Sequence, residues 1–138
     1  MSGINMRLLS ALVLFSALAF ASENASLAGD WEGEPKCTVP NSPCHDEQAL
    51  YRLSPGDKEG NLSIDAYKII EGVHQFMGTI ACEYHRSQST LTCTGHTPKQ
   101  DLWEFQVAGD TITGTLKIGP EKTLYRRVTL HRARKKES

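Results

Sequence analysis

The chain beyond residue 21 lacks the apolar spacing of an α-helix. No window of eleven or more positions there carries apolar residues at sustained intervals of three and four. Short stretches of alternating apolar and polar residues stand in its place, separated by Gly, Pro, Asn and Asp. This absence excludes helices as the main element and predicts an all-β fold.

A surplus of charge of either sign is also missing. The chain carries 15 Lys and Arg against 16 Asp and Glu, a formal net charge of −1. A near-neutral balance gives no electrostatic attraction to nucleic acid or to an anionic membrane, so neither is expected as a partner. Basic residues gather at the end of the chain, where residues 132–138 are expected to form a basic disordered tail.

Motifs of catalysis are absent as well. The sequence contains no nucleophile elbow, no His-Glu-x-x-His, no phosphate loop and no histidine paired with a free cysteine. Asp46 and Glu47 are adjacent carboxylates, but neighbouring residues on a strand point to opposite faces, so the two cannot act together as a general acid and a general base. We therefore expect a protein that is not an enzyme and uses no cofactor.

The one long apolar run lies near the start of the chain. It extends from Leu8 to Phe20, follows Arg7 and ends at a small-x-small site, Ala19-Phe20-Ala21. This pattern predicts a cleavable signal peptide over residues 1–21, and the run is too short to span a bilayer comfortably. The mature chain would then be secreted or periplasmic, with one β-barrel domain over residues 22–131 and no integral membrane segment.

Four cysteines in an exported chain of this size predict two disulfides. If Ser87-Gln88 is the turn of a hairpin, Cys82 lies directly opposite Cys93, close enough to form a bridge. Cys37 then pairs with Cys44 across a short segment in which prolines prevent regular structure.

Alternation and turn signals divide the mature chain into eight strands joined mostly by short turns, which predicts an antiparallel up-and-down β-barrel. The predicted strands are 27–34, 47–54, 62–70, 76–85, 89–94, 101–108, 110–118 and 122–131.

Closure of such a barrel makes its first and last strands neighbours. Trp31 lies on the first strand, and Arg126 is the one charge on the apolar face of the last strand. Because an unpaired buried cation is costly, we expect its guanidinium to stack on the indole, with Tyr51 beside it.

These residues resemble the lipocalin and fatty-acid-binding barrels, often called calycins. That group shares a Gly-x-Trp on its first strand, here Gly29-Asp30-Trp31, and an Arg on its last strand that packs across the Trp, here Arg126. The resemblance implies a lipocalin-like eight-stranded barrel. This chain departs from most lipocalins, because no long helix follows the barrel and the loop after the first strand has its own disulfide.

Two functions remain open, because an eight-stranded barrel is either packed solid or able to hold one small ligand. The first is binding of a small, mostly apolar ligand in the interior, with Gly78 and Gly114 leaving space. The second is an interaction or inhibitor module whose contact surface is the loop 35–46, which the predicted Cys37–Cys44 disulfide closes and which we term the stapled loop. The predicted interior residues are Trp31, Tyr51, Phe76, Tyr84, Trp103, Phe105 and Arg126.

A polar cluster, His45-Asp46-Glu47, is expected at the rim of the barrel, with Glu47 sharing the inward parity of Tyr51. A metal-assisted enzyme centred on His45 and Glu47 is the third and least favoured hypothesis. A zinc site that uses Cys37 and Cys44 is disfavoured, because an oxidising compartment favours disulfides. We expect no bound metal and a monomer.

Overall fold

The computed structural model describes residues 26–95 and 100–134, and the regular secondary structure of this part is almost entirely β-strand. Every predicted strand is present, with ends that lie within three residues of the prediction. The elements in chain order are β1 Gly29–Gly33, β2 Lys36–Cys37, β3 Gln48–Pro55, β4 Asn61–Ile70, β5 Val73–His85, a 3-10 turn Arg86–Gln88, β6 Thr90–Thr94, β7 Leu102–Ala108, β8 Thr111–Ile118 and β9 Thr123–Arg132. The predicted signal peptide, residues 1–21, lies outside the described residues.

The strands close into an antiparallel barrel. From β3 to β9 each strand pairs with the next, β3 pairs with β1, and β9 pairs with both β1 and β2. β1 and β2 keep one register against β9, since Gly33 pairs with Leu130 and Lys36 with Arg127. They therefore form one barrel strand interrupted near Pro35, which has no N–H to donate. The predicted eight-stranded antiparallel barrel is confirmed.

The register at the closure differs from the predicted one. Trp31 pairs with Arg132, whereas Arg126 pairs with Cys37. The expectation that Arg126 lies over Trp31 is therefore wrong, because the two residues are offset by about 20 Å along the strands. Alternation places Arg126 and Arg132 on the same face but does not set the level at which distant strands meet. β9 includes Arg132, although the sequence predicts a disordered tail over 132–138, and residues 135–138 lie outside the described residues.

A β-bulge between β4 and β5 reverses one predicted orientation. Ala66 pairs with Gly78, but the next residue, Tyr67, pairs with Phe76, so that Met77 is an extra residue. A one-residue offset turns the following side chains to the other face. Phe76 is accordingly 59% exposed, and the prediction that it lines the interior is wrong. Gly78 has φ +149° at the bulge, a conformation that residues with a Cβ rarely adopt.

Aromatic rings and a disulfide fill the centre of the barrel. The predicted Cys82–Cys93 bridge is confirmed, and both cysteines are buried. The rings of Trp103 and Phe105 are stacked, with centroids 5.8 Å apart. A Cβ at Gly114 would lie 2.7 Å from the carbonyl oxygen of Glu104 and would overlap the Phe105 ring. The space that Gly114 leaves is therefore filled by Phe105 rather than open to a ligand.

Candidate functional site

One end of the barrel is sealed around Trp31. This side chain is fully buried, and its indole Nε1 donates a hydrogen bond to the carbonyl oxygen of Leu27 at 3.0 Å. The guanidinium carbon of Arg132 lies 4.4 Å from the centroid of the indole ring. The stacked Trp–Arg pair of the predicted signature is thus present, with Arg132 in the place assigned to Arg126.

Arg132 also ties the neighbouring segments together. Its Nε lies 3.1 Å from the Asp110 carboxylate in the turn between β7 and β8, which neutralises its charge. Its Nη atoms donate to the carbonyl oxygens of Ser26 and Ala28. These contacts join β9 to the start of the described chain and to the β7–β8 turn, so Arg132 acts as a plug over Trp31.

The opposite end of the barrel carries three charged side chains. A single carboxylate, Glu47, lies between two cations: its Oε1 is 3.8 Å from Arg126 Nη2 and 3.7 Å from Lys68 Nζ. Arg126 also donates from Nη1 to the carbonyl oxygen of His45 at 3.0 Å. Both ion-pair distances exceed the usual length of a charge-assisted hydrogen bond, so the cations keep the capacity to bind a further acceptor.

Glu47 and Arg126 border a cavity of about 160 Å³, which we term the mouth cavity. Its walls combine apolar and aromatic surface with the charges of Glu47 and Arg126. The lining residues are Pro35, Glu47, Ala49, Tyr51, Ala66, Tyr67, Met77, Trp103 and Arg126.

Tyr51 forms the aromatic floor of the mouth cavity together with Trp103. Tyr51 is 6% exposed, and its ring meets Trp103 edge to face with centroids 6.3 Å apart. Burial raises the pKa of the Tyr51 phenol far above its ordinary value, because the charged form would lose its hydration. Arg126 opposes this increase in pKa, and Glu47 adds to it. The phenol therefore stays protonated and able to donate a hydrogen bond at any physiological pH.

The raised pKa of Tyr51 predicts a loss of stability in alkali. Since the folded state holds the phenol proton more tightly than the unfolded state, this contribution to stability is fully present below about pH 10 and is lost above it. The expected slope is about 1.4 kcal/mol per pH unit. Urea unfolding over an alkaline pH series should show a shallower decline for Tyr51→Phe than for the wild type. Parallel declines in the two proteins would contradict the prediction.

The stapled loop 35–46 is fastened beside the mouth. The predicted Cys37–Cys44 disulfide is confirmed. The Thr38 N–H donates to Tyr125 O at 3.0 Å, and the Thr38 hydroxyl donates to Leu124 O at 2.9 Å, which fixes the loop to β9. The loop also supplies Pro35 to the mouth cavity, so its conformation and the shape of the cavity are linked.

The predicted rim cluster divides into separate roles. Glu47 points into the mouth, where the alternation of β3 placed it. Asp46 accepts a hydrogen bond from the Cys37 N–H at 2.8 Å and holds the loop closed. His45 is exposed and contributes its backbone carbonyl to Arg126. Lys68 completes the mouth, and sequence reasoning missed it, although its even number on β4 matches that of the inward-facing Ile64.

The predicted interior residues separate into four locations. Tyr51, Trp103 and Arg126 meet at the mouth, whereas Trp31 lies at the sealed end. Phe105 is buried in the core with Tyr84 packed against it, and Phe76 lies on the outer surface. The interior is thus packed in its middle, and the mouth is where its polar and aromatic groups meet beside open space.

Cys37 and Cys44 form a disulfide, so they are not available to the zinc site considered above. Across 26–95 and 100–134, no group of three or more His, Cys, Asp or Glu side chains is placed to hold a metal ion.

Over the same residues, the structure has no helix of the length and apolarity needed to cross a membrane.

Comparison with known proteins shows that this closed, disulfide-bonded barrel is similar in fold to a solved structure. No protein-family model matches the chain, and no curated protein matches it. Among solved structures, the chain is similar to the crystal structure of Rv2717c from M. tuberculosis. The TM-score is 0.54 at 13% sequence identity, and the match covers 81% of this chain and 96% of that chain. At this identity the similarity shows a shared barrel fold and nothing about activity.

Proposed function

We propose that this protein is an exported, lipocalin-like barrel that binds a small ligand in the mouth cavity. The ligand has an apolar body and one hydrogen-bond acceptor, such as a carboxylate or carbonyl group. The observation that carries the proposal is the meeting of an aromatic floor, a protonated phenol and a guanidinium around one cavity. Ligand sites commonly combine apolar walls with a few convergent polar groups in this way.

The size of the cavity limits the ligand. A volume of about 160 Å³ is below the roughly 300–1,000 Å³ of ordinary ligand pockets. Because the middle of the barrel is filled by Phe105 and the Cys82–Cys93 bridge, a longer ligand cannot pass inward. It would have to extend outward past Met77, which lies at the edge of the cavity and is 59% exposed.

The charges at the mouth favour an acceptor rather than a cation. Arg126 and Lys68 share the single carboxylate of Glu47, which leaves an excess of one positive charge. The Arg126 side chain is only 14% exposed, so an acceptor that reaches it forms a charge-assisted hydrogen bond sheltered from water. A cationic ligand would meet two like charges there.

Arg126→Met is expected to weaken ligand binding about tenfold or more, because a hydrogen bond to a charged group contributes about 1.5–3 kcal/mol. The measurement is tryptophan emission titrated with a panel of small carboxylates, amides and alcohols. Trp103 lines the mouth cavity, whereas Trp31 does not line it and only pairs with Tyr51 across β1 and β3, so Trp103→Phe should remove most of the emission change.

Arg127→Met is the matched control, since Arg127 is the next residue on β9, lies outside the mouth cavity and is exposed. It should leave the affinity unchanged. An emission response to no member of the panel would count against the proposal. A response of undiminished size in Trp103→Phe would place the ligand elsewhere.

A second candidate function uses the stapled loop 35–46 as a contact surface for another protein. It is favoured by an apolar cleft of about 840 Å³ between this loop and the β8–β9 turn, where Val39 and Pro43 face Pro120 and Tyr125. Val39→Lys together with Pro43→Lys should abolish capture of a partner by the purified protein and leave the mouth cavity intact. Loss of small-ligand binding in that variant would argue against separate sites.

A further inference from the structure

The first part of β5 has a strand on one side only. β6 pairs with β5 over Ala81–His85, whereas β4 pairs with it from Val73 to Glu83, apart from the extra residue Met77. In the described chain, Val73–Ile80 therefore has no strand on the β6 side. Such an edge presents N–H and C=O groups that can pair with another extended chain.

This edge carries an exposed apolar surface. The large apolar side chains that are exposed in residues 26–95 and 100–134 all lie on the β4–β5 hairpin. Val73 is 62% exposed, Phe76 and Met77 are 59% exposed, and Ile70 is 40% exposed. An apolar patch of this kind on a folded protein marks an interaction surface.

The usual protection of an open edge is missing from its sequence. Val73–Ile80 reads Val-His-Gln-Phe-Met-Gly-Thr-Ile, without Asp, Glu, Lys, Arg or Pro. Lys and Pro are the residues that commonly prevent edge strands from pairing. Two copies of this segment side by side would also meet without repulsion between like charges.

We propose that Val73–Ile80 pairs antiparallel with the same segment of a second copy of this chain, which gives a twofold symmetric dimer. Antiparallel pairing of identical segments uses the open edge of both copies at once, so the assembly closes at two chains instead of growing into a fibre. The dimer also covers part of the exposed apolar surface. It goes beyond the proposed ligand site, since Val73 and Phe76 do not line the mouth cavity and the two surfaces meet only at Met77.

Sedimentation of the purified protein with both disulfides formed tests this dimer. The wild type should sediment at twice the mass of one chain at micromolar to millimolar concentration. Val73→Lys together with Phe76→Lys should raise the dissociation constant about 100-fold or more, because Val73 would lie opposite Ile80 and Phe76 opposite Met77 of the second copy, so each lysine is placed against an apolar side chain. Thr113→Lys, on the exposed face of β8, is the matched control and should leave the dimer intact. A monomeric wild type, or a dimer unaffected by the double substitution, would overturn the proposal.

Hydrogen exchange of the wild type gives a test that does not depend on how the variants fold. Tyr84 donates its N–H to Gly60 O, on the β4 side. Since alternate residues of a strand point their N–H groups the same way, Thr79 points its N–H toward the open edge. Protection of the Thr79 amide should therefore increase with protein concentration. A dimer that forms without this protection would associate through other surfaces, and the proposed strand pairing would be wrong.

Discussion

Trp31→Ala is expected to lower the free energy of unfolding by about 3–5 kcal/mol, the usual cost of truncating a buried tryptophan. The side chain is fully buried, donates to Leu27 O and lies under Arg132, so its removal leaves a cavity and an unpaired guanidinium face. Urea unfolding at neutral pH measures the loss. Trp103→Ala should cost less, because Trp103 is partly exposed at the mouth, where water can enter the space it leaves.

Urea unfolding and circular dichroism of Arg132→Met and Arg126→Met distinguish these two arginines of β9. Arg132→Met should reduce stability and perturb the near-ultraviolet circular dichroism of Trp31, since it removes the stacking and the bonds to Asp110 and Ala28. Arg126→Met should leave the Trp31 signal unchanged, because Arg126 lies at the opposite end of the barrel. If Arg126→Met altered that signal and Arg132→Met did not, the register described for β1 and β9 would be wrong.

Removal of the Cys82–Cys93 bridge in Cys82→Ala/Cys93→Ala is expected to cost about 3–5 kcal/mol. A bridge across a loop of this length contributes about 3 kcal/mol by restricting the unfolded chain. Both sulfur atoms are also buried in the core, so their packing is lost as well. Thermal unfolding of the double variant, which contains no unpaired thiol, measures the effect.

Cys37→Ala/Cys44→Ala is the matched comparison. This bridge spans a sequence separation of 7 instead of 11, and both of its cysteines are partly exposed, so the expected loss is about 2–2.5 kcal/mol. An equal or larger loss would show that the stapled loop 35–46 is integral to the barrel core. The comparison therefore separates a bridge that holds the fold from one that shapes the mouth.

The mouth cavity was only partly accessible to sequence reasoning. Tyr51, Glu47 and Arg126 were recognised as inward-facing from the period-two alternation of their own strands. Their meeting with Lys68 and Met77 depends on how β4 and β5 pair, including the extra residue at Met77. A bulge leaves little trace in the sequence beyond Gly78, so the exposed position of Phe76 could not be predicted from alternation.

The sequence by itself determined the strands, their inner and outer faces away from the β4–β5 bulge, and the Cys82–Cys93 pairing, because each depends on residues close together in the chain. A tight turn at Ser87-Gln88 is enough to place Cys82 opposite Cys93. Only the tertiary structure decided that Arg132 covers Trp31 and leaves Arg126 to the mouth. Alternation repeats every two residues and therefore permits many registers between β1 and β9. Closure of the whole barrel selects one of them, through the combined pairing and packing of every strand between.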